Sequence, residues 1–334
     1  MVSGMPRVTI TDVAREAGVS VATVSKVLNG RDGVAASTLL RVQGVIARLG
    51  YESSLVATSL RSRRTNVIGC LVADFEPFSA EILKGVGTAL HGSDLELLAY
   101  SARRADGSEW ENRSLRRLSG TLIDGAILVT PTVLAAPVDI PVVVIDPHTG
   151  PEGTPAVESD SLEGALTATR HLLDLGHTRI GFLAGRPDLR SAQLREQGYR
   201  DALAAAGVPF DPSLIRIGHY EDELAKEAVR ELLTQPEPPT AVFAANDRSA
   251  LVTLEVAHEV GLRVPDDLSI IGFDDIPEST RVAVPLTTVR QHIQRMGAVA
   301  TEMLRTLLDG GTLETSHVQL PTELVVRAST APPR

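Results

Sequence analysis

Apolar residues in the first 50 positions recur at helical spacing. Three runs share this pattern: Val13, Ala14 and Ala17; Val24, Val27 and Leu28; and Leu39, Val42, Ile46 and Leu49. Thr9 and Asp12 stand at the spacing of a capping box, and Gly18 suits the left-handed position that ends a helix. Ser20 then suits an N-cap. The pattern predicts three short helices, the first two joined by a tight turn.

The pattern changes after residue 65. Apolar strand-like runs such as VIGCLVA, GAILVT and PVVVID alternate with amphipathic runs such as SAEILKGVGTALHG, and the alternation repeats from Leu162 to the run LSIIGF. Strands separated by helices favour parallel sheets with helices on both faces. The sequence therefore predicts an N-terminal all-α head and an α/β core of two similar parallel-sheet lobes.

Charge separates the same two parts of the chain. The net charge is −10, but residues 1–64 carry nine basic and four acidic residues, a net +5, which leaves −15 for the rest. Two short helices around a turn are typical of a helix-turn-helix, whose second helix enters the DNA major groove. A small structural bundle would show the same spacing. The basic head favours a polyanionic partner.

Other classes of protein find little support in the composition. The only cysteine, Cys70, lies in an apolar run, which excludes a disulfide or a cysteine-built metal site within one chain. No apolar run reaches the roughly 20 residues of a membrane span, and no signal-peptide layout is present, so we expect a cytoplasmic protein without a membrane partner. The sequence lacks a G-x-S-x-G elbow, a P-loop and an H-E-x-x-H motif. We expect no enzyme activity, no cofactor and no metal.

Three segments resemble the lactose-repressor/galactose-repressor (LacI/GalR) family of transcription regulators: VTITDVAREAGVSVATVSKVLNG, RVQGVIARLGY and SSLVATSLRSRRT. The resemblance extends over essentially the whole chain. It implies a helix-turn-helix domain over 1–51, a hinge helix and linker over 52–65, and a periplasmic-binding-protein-like core over 66–334. It also implies an N-subdomain of about 66–161 and 292–322 and a C-subdomain of about 162–290 and 323–334.

The resemblance assigns base contacts to Val21, Ala22 and Lys26 in the second helix. The family usually has arginine where Lys26 stands, and a mobile ammonium should discriminate guanine less sharply than a planar guanidinium. Small hydroxyl and amide side chains occupy the positions that match phosphate contacts: Thr9, Ser20, Thr23, Ser25 and Asn29.

Residues 53–61, SSLVATSLR, match the hinge helix of the family, in which a leucine wedges into the minor groove. Ala57 and Leu60 occupy the wedge positions, although without the resemblance Leu60 would be interpreted as an ordinary apolar linker residue. Ser53 and Ser54 replace the usual proline and asparagine, so hinge ordering is expected to be weaker. The third helix also departs from the family, with Ala35 at its N-cap position and a mid-helix Gly44.

The motifs SAQLREQGY, AANDRSAL and GFDDIP place polar residues next to predicted strands and match effector positions of the family. The effector contacts that the resemblance implies are Asp74, Phe75, Phe78, Asp160, Arg195, Tyr220, Asn246, Asp274 and Gln291. A guanidinium opposed by carboxylates suits hydroxyl groups, and an aromatic ring covers the C–H face of a sugar. The structural alternative is that Arg195 and Asp274 pair with each other or cap helices.

These features together predict a transcription regulator, interpreted as a repressor. We expect it to bind a pseudo-palindromic operator in double-stranded DNA as a homodimer, controlled by a small-molecule effector that is a sugar or glycoside. The C-terminal VVRASTAPPR has no leucine heptads, which favours a dimer over a tetramer. A cytoplasmic solute-binding or sensor protein with the same core is the alternative, and the +5 head argues against it.

Overall fold

The computed structural model describes residues 8–28, 32–51, 64–101, 110–133, 138–150 and 153–334, which belong to two compact units, Met1–Thr65 and Asn66–Arg334. The first unit, here called the head, contains α1 (Ile10–Ala17), α2 (Val21–Leu28) and α3 (Ala36–Leu49). Val13, Val24 and Val42, one from each helix, are fully buried against one another. The three helices predicted from apolar spacing are therefore confirmed.

The local signals at the helix ends of the head also hold. Thr9 and Asp12 form both hydrogen bonds of a capping box, and Gly18 closes α1 with φ 63°. Ala35, the N-cap residue of α3, offers no side-chain hydrogen bond. Leu28 is exposed, whereas the spacing predicted burial, because it is the last residue of an eight-residue helix.

The second unit contains two lobes, each built on a six-stranded sheet. In lobe 1 the strand order is β11-β5-β4-β3-β1-β2, and all pairs are parallel. Its strands are β1 (Val67–Val72), β2 (Glu96–Ser101), β3 (Gly125–Val129), β4 (Val142–Ile145), β5 (Ala156–Ser159) and β11 (His317–Leu320). The helices of this part are α4 (Pro77–Leu90), α5 (Trp110–Leu118) and α10 (Ile293–Leu308).

Lobe 2 has the strand order β12-β10-β9-β8-β6-β7, and only the β10–β12 pair is antiparallel. Its strands are β6 (Ile180–Ala184), β7 (Ile215–Ile217), β8 (Ala241–Ala244), β9 (Ser269–Asp274), β10 (Thr287–Gln291) and β12 (Thr322–Val325). The helices are α6 (Ser161–Asp174), α7 (Arg190–Ala205), α8 (Asp222–Leu233) and α9 (Asp247–Glu259). The predicted fold class, an all-α head with a two-lobed α/β core, is confirmed.

The chain passes between the lobes several times. It leaves lobe 1 after β5, returns after β10 through α10, and then places the neighbouring strands β11 and β12 in different sheets. Helix α10 packs on α4 so closely that a Cβ at Gly85 would lie 1.9 Å from the Gln294 carbonyl oxygen. Such contact requires glycine and joins both ends of lobe 1 into one core.

Strand β1 is buried along its whole length, as a strand in the middle of a parallel sheet must be. Cys70 within it is a free, fully buried thiol, in agreement with its interpretation as a buried strand residue. Among the described residues, none of the helices combines the length and apolar character that a membrane crossing needs.

Candidate functional site

A cavity of about 660 Å³ lies between the two lobes of the second unit. Its walls carry polar residues where strands end: Asp74 follows β1, Asp146 follows β4, Asn246 follows β8, and Asp274 ends β9. The carboxyl ends of parallel strands meet at one edge of a sheet, so side chains at these positions converge. Each lobe therefore presents polar groups to a common space.

Arg195 is the central cation of this cavity. It lies on α7 and is 4% exposed, with Nη1 donating to the Ala245 carbonyl oxygen at 2.6 Å and lying 3.7 Å from Asp274 Oδ1. The guanidinium carbon is 3.9 Å from the centroid of the Phe273 ring. Because these contacts fix the side chain in advance, a ligand that accepts from it does not have to order it.

Two carboxyl groups interact with Arg195. Asp274 Oδ1 accepts a hydrogen bond from Gln291 Nε2 at 2.6 Å. Burial raises the pKa of Asp274 to about 7, although Arg195 and Gln291 act in the opposite direction. Burial also raises the pKa of Asp146, again against the effect of Arg195. The cavity thus combines one fixed donor with acceptors on two sides, an arrangement suited to hydroxyl groups.

Tyr220 supplies the aromatic wall. Its ring packs over the backbone of Gly185, where a Cβ would lie 2.0 Å from a ring atom. Burial raises the pKa of its hydroxyl to about 12. Among the described residues, this hydroxyl and Arg195 Nε are both buried without a hydrogen bond of good geometry, although the Arg195 side chain is close enough to act on the hydroxyl. Buried polar atoms are normally paired, so these two atoms are open to a polar partner in the cavity.

The backbone around the cavity has positive φ angles at several residues other than glycine. Several lining residues other than glycine have positive φ angles: Thr130 at 46°, Asp146 at 49°, His219 at 56°, Tyr220 at 63° and Asp274 at 124°. This region is unfavourable for residues with a Cβ, and such residues gather at binding sites because the surrounding structure holds them there. The shape of the cavity is therefore fixed by its surroundings.

The structure brings most of the predicted effector contacts to this cavity, namely Asp74, Phe78, Arg195, Tyr220, Asn246, Asp274 and Gln291. It does not bring Phe75 or Asp160 there. Phe75 is 54% exposed, because it lies in the loop before α4 and only its backbone N–H bonds to Asp74. Asp160 is the N-cap of α6 and accepts from the Glu163 amide at 3.0 Å.

The structural alternatives for these residues also describe real contacts. Arg195 and Asp274 do approach each other, and the Asn246 side chain caps α9 by accepting from the Ser249 amide at 2.9 Å. A cap uses only the amide oxygen of Asn246 and leaves its NH₂ group as a donor. These contacts are compatible with binding because they orient the groups that line the cavity.

Several cavity residues were missed by the sequence analysis. Asp146 is the last residue of the predicted strand PVVVID, so the strand-end signal that was used for other residues was present here. Ser191 stands in the first turn of α7, and His148 lies two residues after Asp146. His148 Nδ1 is 3.5 Å from Asp188 Oδ2, and its backbone oxygen accepts from the Arg190 amide at 3.0 Å. Burial lowers the pKa of His148 to about 4, so this residue joins the lobes as a neutral group.

The head has a surface groove of about 510 Å³ between the start of α2 and the segment before α3. Predicted DNA contacts that line it are Ser20, Ala22, Thr23 and Lys26. Val21, Ala22 and Lys26 are exposed on the side of α2 opposite the buried Val24 and Val27. This helix therefore offers small side chains and one cation to a partner.

The other predicted DNA contacts differ in their availability. Thr9 is exposed but its hydroxyl donates to Asp12 Oδ2 at 2.6 Å, and Ser20 accepts from the Thr23 amide at 3.1 Å. Ser25 is half-buried. Asn29, Ala57 and Leu60 lie outside the described residues, as does the predicted hinge segment over 53–61.

Metal coordination finds no support in the part of the chain that the structure describes, where no group of three or more His, Cys, Asp and Glu side chains could hold an ion. His177, which the sequence places near His171, instead bonds to the hydroxyls of Thr240 and Ser269 at 2.8 and 3.1 Å. Its Nε2 also lies 2.9 Å from the Ala331 carbonyl oxygen, so it ties the C-terminal segment to lobe 2.

Comparison with known proteins agrees with both parts of this description. Residues 9–54 match the model of bacterial regulatory proteins of the lacI family, and residues 169–330 match a periplasmic binding protein-like domain. The HTH-type transcriptional repressor PurR of Photobacterium profundum is 34% identical over 332 residues, which cover 96% of this chain and 98% of that protein.

Solved structures give the same result. The Lac repressor dimer bound to operator and the anti-inducer ONPF is 28% identical with a TM-score of 0.85, covering 98% of this chain and all of that one. The transcriptional regulator CelR in complex with cellobiose is 33% identical with a TM-score of 0.70, covering 97% and 100%. These similar proteins are named as regulators of transcription, not as enzymes. The chain belongs to the lacI family of bacterial regulatory proteins.

Proposed function

We propose that this protein is a repressor that binds a pseudo-palindromic operator as a homodimer and responds to a sugar or glycoside in the cavity between its lobes. The observation that carries the effector part is the pair of buried atoms without a hydrogen bond of good geometry, Arg195 Nε and the Tyr220 hydroxyl. Since its DNA partner lies in the bacterial cytoplasm, the proposal also places the protein there.

The chemistry of the cavity supports a hydroxyl-rich effector. Arg195 donates, Asp146 and Asp274 accept, and the Tyr220 ring offers an apolar face. The remaining cations of the lining are already paired with acids, Arg186 with Asp188 and Arg248 with Asp222. An anionic effector would therefore meet an excess of carboxylates, while a neutral polyol would meet both donors and acceptors.

The head supports the DNA part. Helix α2 presents Val21, Ala22 and Lys26 on its exposed face, and the capped start of the helix orients them. The sequence predicts that Leu60 of each protomer wedges into the minor groove at the operator centre. In this proposal the effector shifts the arrangement of the lobes, and residues 53–61 carry that shift to the paired heads.

A thermal-shift screen followed by DNA binding tests the proposal. The panel contains neutral mono- and disaccharides, including cellobiose and ribose, with purine bases as a competing class. A ligand at 100 times its Kd should stabilise the native state by about 2.7 kcal/mol. We expect stabilisation by a sugar, its loss in Arg195→Ala, and its retention in Arg200→Ala, which alters an exposed arginine on the same helix.

The second stage uses a duplex selected from random DNA by the purified protein. Fluorescence anisotropy should show that the stabilising sugar changes operator affinity of the wild type and not of Arg195→Ala, while both bind the operator equally without sugar. Stabilisation by purines alone would overturn the sugar assignment. No stabilisation by either class, or loss of operator binding in a folded Arg195→Ala, would place the regulatory site elsewhere.

A further inference from the structure

The turn after β9 has an unusual backbone for its sequence. Asp274 and Asp275 are consecutive residues with φ angles of 124° and 60°. The left-handed region favours glycine, and two successive residues with a Cβ stay there only when other contacts hold them. What holds this turn therefore determines where the Asp274 carboxyl lies.

The two neighbouring carboxyl groups point to different partners. Asp274 Oδ1 accepts from Gln291 at the cavity, whereas Asp275 is clamped by two guanidinium groups on the other side. Arg290 Nε donates to Asp275 Oδ2 at 2.7 Å, and Arg327 Nη2 donates to Oδ1 at 2.5 Å. Burial alone would raise the pKa of Asp275, but these hydrogen bonds lower it, so the clamp binds a carboxylate.

The two arginines are themselves held in place away from the cavity. Arg290 lies in β10, directly opposite Asp274 in the strand register, and also reaches Glu323 at 3.3 Å. Arg327 comes from the C-terminal segment, where Nη1 donates to the Leu286 carbonyl oxygen at 2.8 Å. Neither arginine is among the residues that line the cavity. Their side chains act on the turn and not on a ligand.

We propose that Arg327 and Arg290 are positioning residues of the cavity. By clamping Asp275 they stabilise the left-handed turn, and the turn directs the Asp274 carboxylate toward Gln291 and Arg195. The significance of this device rests on the proposed role of the cavity as the effector site. The position of Asp274 itself can be measured without any effector, so the two proposals can fail separately.

The side-chain amide of Gln291 is a direct reporter, because its Nε2 donates to Asp274 Oδ1 at 2.6 Å. We would label the full-length protein with ¹⁵N-glutamine and assign this signal by its disappearance in Gln291→Glu. In Arg327→Gln the signal should move toward the random-coil position and exchange with water at least ten times faster. Arg334→Gln is the matched control, since Arg334 belongs to the same segment but pairs with Asp266 and Asp267.

The backbone part of the proposal needs a second pair of variants. Asp275→Ala loses the clamp and retains a Cβ, so the Gln291 signal should shift as in Arg327→Gln. Asp275→Gly loses the same clamp but accepts φ 60° without strain, so the signal should return to its wild-type position. A purely structural role for the ion pair predicts that glycine and alanine behave alike, because both remove it.

Circular dichroism under native conditions confirms that each variant is folded before its signal is interpreted. If Arg327→Gln does not fold, the comparison of alanine with glycine at Asp275 decides the question. An unchanged Gln291 signal in folded Arg327→Gln and Asp275→Ala would overturn the proposal, as would a signal in Asp275→Gly that stays displaced.

Discussion

Asp274 shows how burial changes the chemistry of a single residue. Burial raises its pKa from 3.8 to about 7, so between these values the native state binds more protons than the unfolded state. The contribution of this group to the free energy of unfolding is therefore largest in acid and falls as pH rises toward 7. This group therefore makes the free energy of unfolding of the protein smaller at neutral pH than in mild acid.

Asp274→Asn removes this titration. Relative to wild type, the free energy of unfolding of the variant should increase by up to about 1.4 kcal/mol per pH unit between pH 5 and 7. Urea denaturation at pH 5, 6 and 7 measures it. Asp267→Asn serves as control, because the pKa of Asp267 is lowered to about 2 and this group is ionised in both states throughout the range. A pH-independent difference for Asp274→Asn would show that its carboxyl is not raised.

Lys26 is the residue on which DNA selectivity is expected to depend. It is exposed on α2, and an ammonium donates to guanine without the planar geometry of a guanidinium. Lys26→Arg should therefore sharpen the preference at one symmetric pair of operator positions by about 1–3 kcal/mol, and Lys26→Ala should relax it. Selection from random duplexes followed by sequencing measures the preference at each position.

A charge control separates base reading from general attraction. Arg48 lies on α3 and pairs with Glu16 at 3.0 Å, so Arg48→Ala removes the same charge from another surface of the head. It should weaken binding without changing the selected sequences, because phosphate attraction carries no base information. Selected sequences that are identical for wild type and both Lys26 variants would remove Lys26 from the reading surface.

At the scale of elements, the sequence predicted those strands and helices whose own residues show a clear hydrophobic pattern. Mostly apolar strands such as β1, β3 and β9, and the amphipathic helices α1 to α9, were predicted because their own residues carry the pattern of burial. Helix α10 was not predicted. The strands β5, β7, β10, β11 and β12 were not predicted as strands. Four of them are mixed in polarity, and β7 has only three residues, so pairing with neighbouring strands decides their conformation.

The candidate site was predictable to the extent that it lies at strand ends. Asp74, Asn246 and Asp274 follow or end strands, and the resemblance named them together with Arg195. Asp146 has the same placement and was missed because the run PVVVID was interpreted only as a strand. The left-handed turn at Asp274 and Asp275 had no local signal, since the Arg290 and Arg327 that hold it come from distant parts of the chain.

Helix α3 gives a prediction at this scale. Its N-cap Ala35 has the extended backbone of a cap, with φ −60° and ψ 141°, but no side chain that can accept from the first turn. Ala35→Ser should stabilise the head by about 1 kcal/mol, while Ala47→Ser, at an exposed position inside the helix, should destabilise it slightly. Thermal unfolding of the full-length protein followed by circular dichroism compares the two. Equal effects of both serines would show that the end of α3 does not limit stability.

At the scale of the whole molecule, charge and function are distributed between the two units. The first 64 residues carry +5 and the rest −15, so attraction to DNA comes from the small part of the chain and the large part is repelled by it. A single head of this charge offers few phosphate contacts, so its affinity for DNA at physiological salt should be low. We therefore expect specific binding at physiological salt to need two heads acting together.

The resulting prediction is a dimer that reads two half-sites at once. Light scattering at micromolar concentration should give twice the chain mass of 35.5 kDa. Linking two heads through one dimer makes the second contact intramolecular, so a full operator should bind at least about 100-fold more tightly than a single half-site. Inserting about 5 base pairs between the half-sites places them on opposite faces of the duplex, since one helical turn takes about 10 base pairs, and should abolish this advantage. Inserting about 10 base pairs is the control, because it returns both half-sites to the same face of the duplex, although the two heads must then span a longer distance. A monomeric or tetrameric mass, or an affinity for the half-site equal to that for the full operator, would contradict paired reading by a dimer.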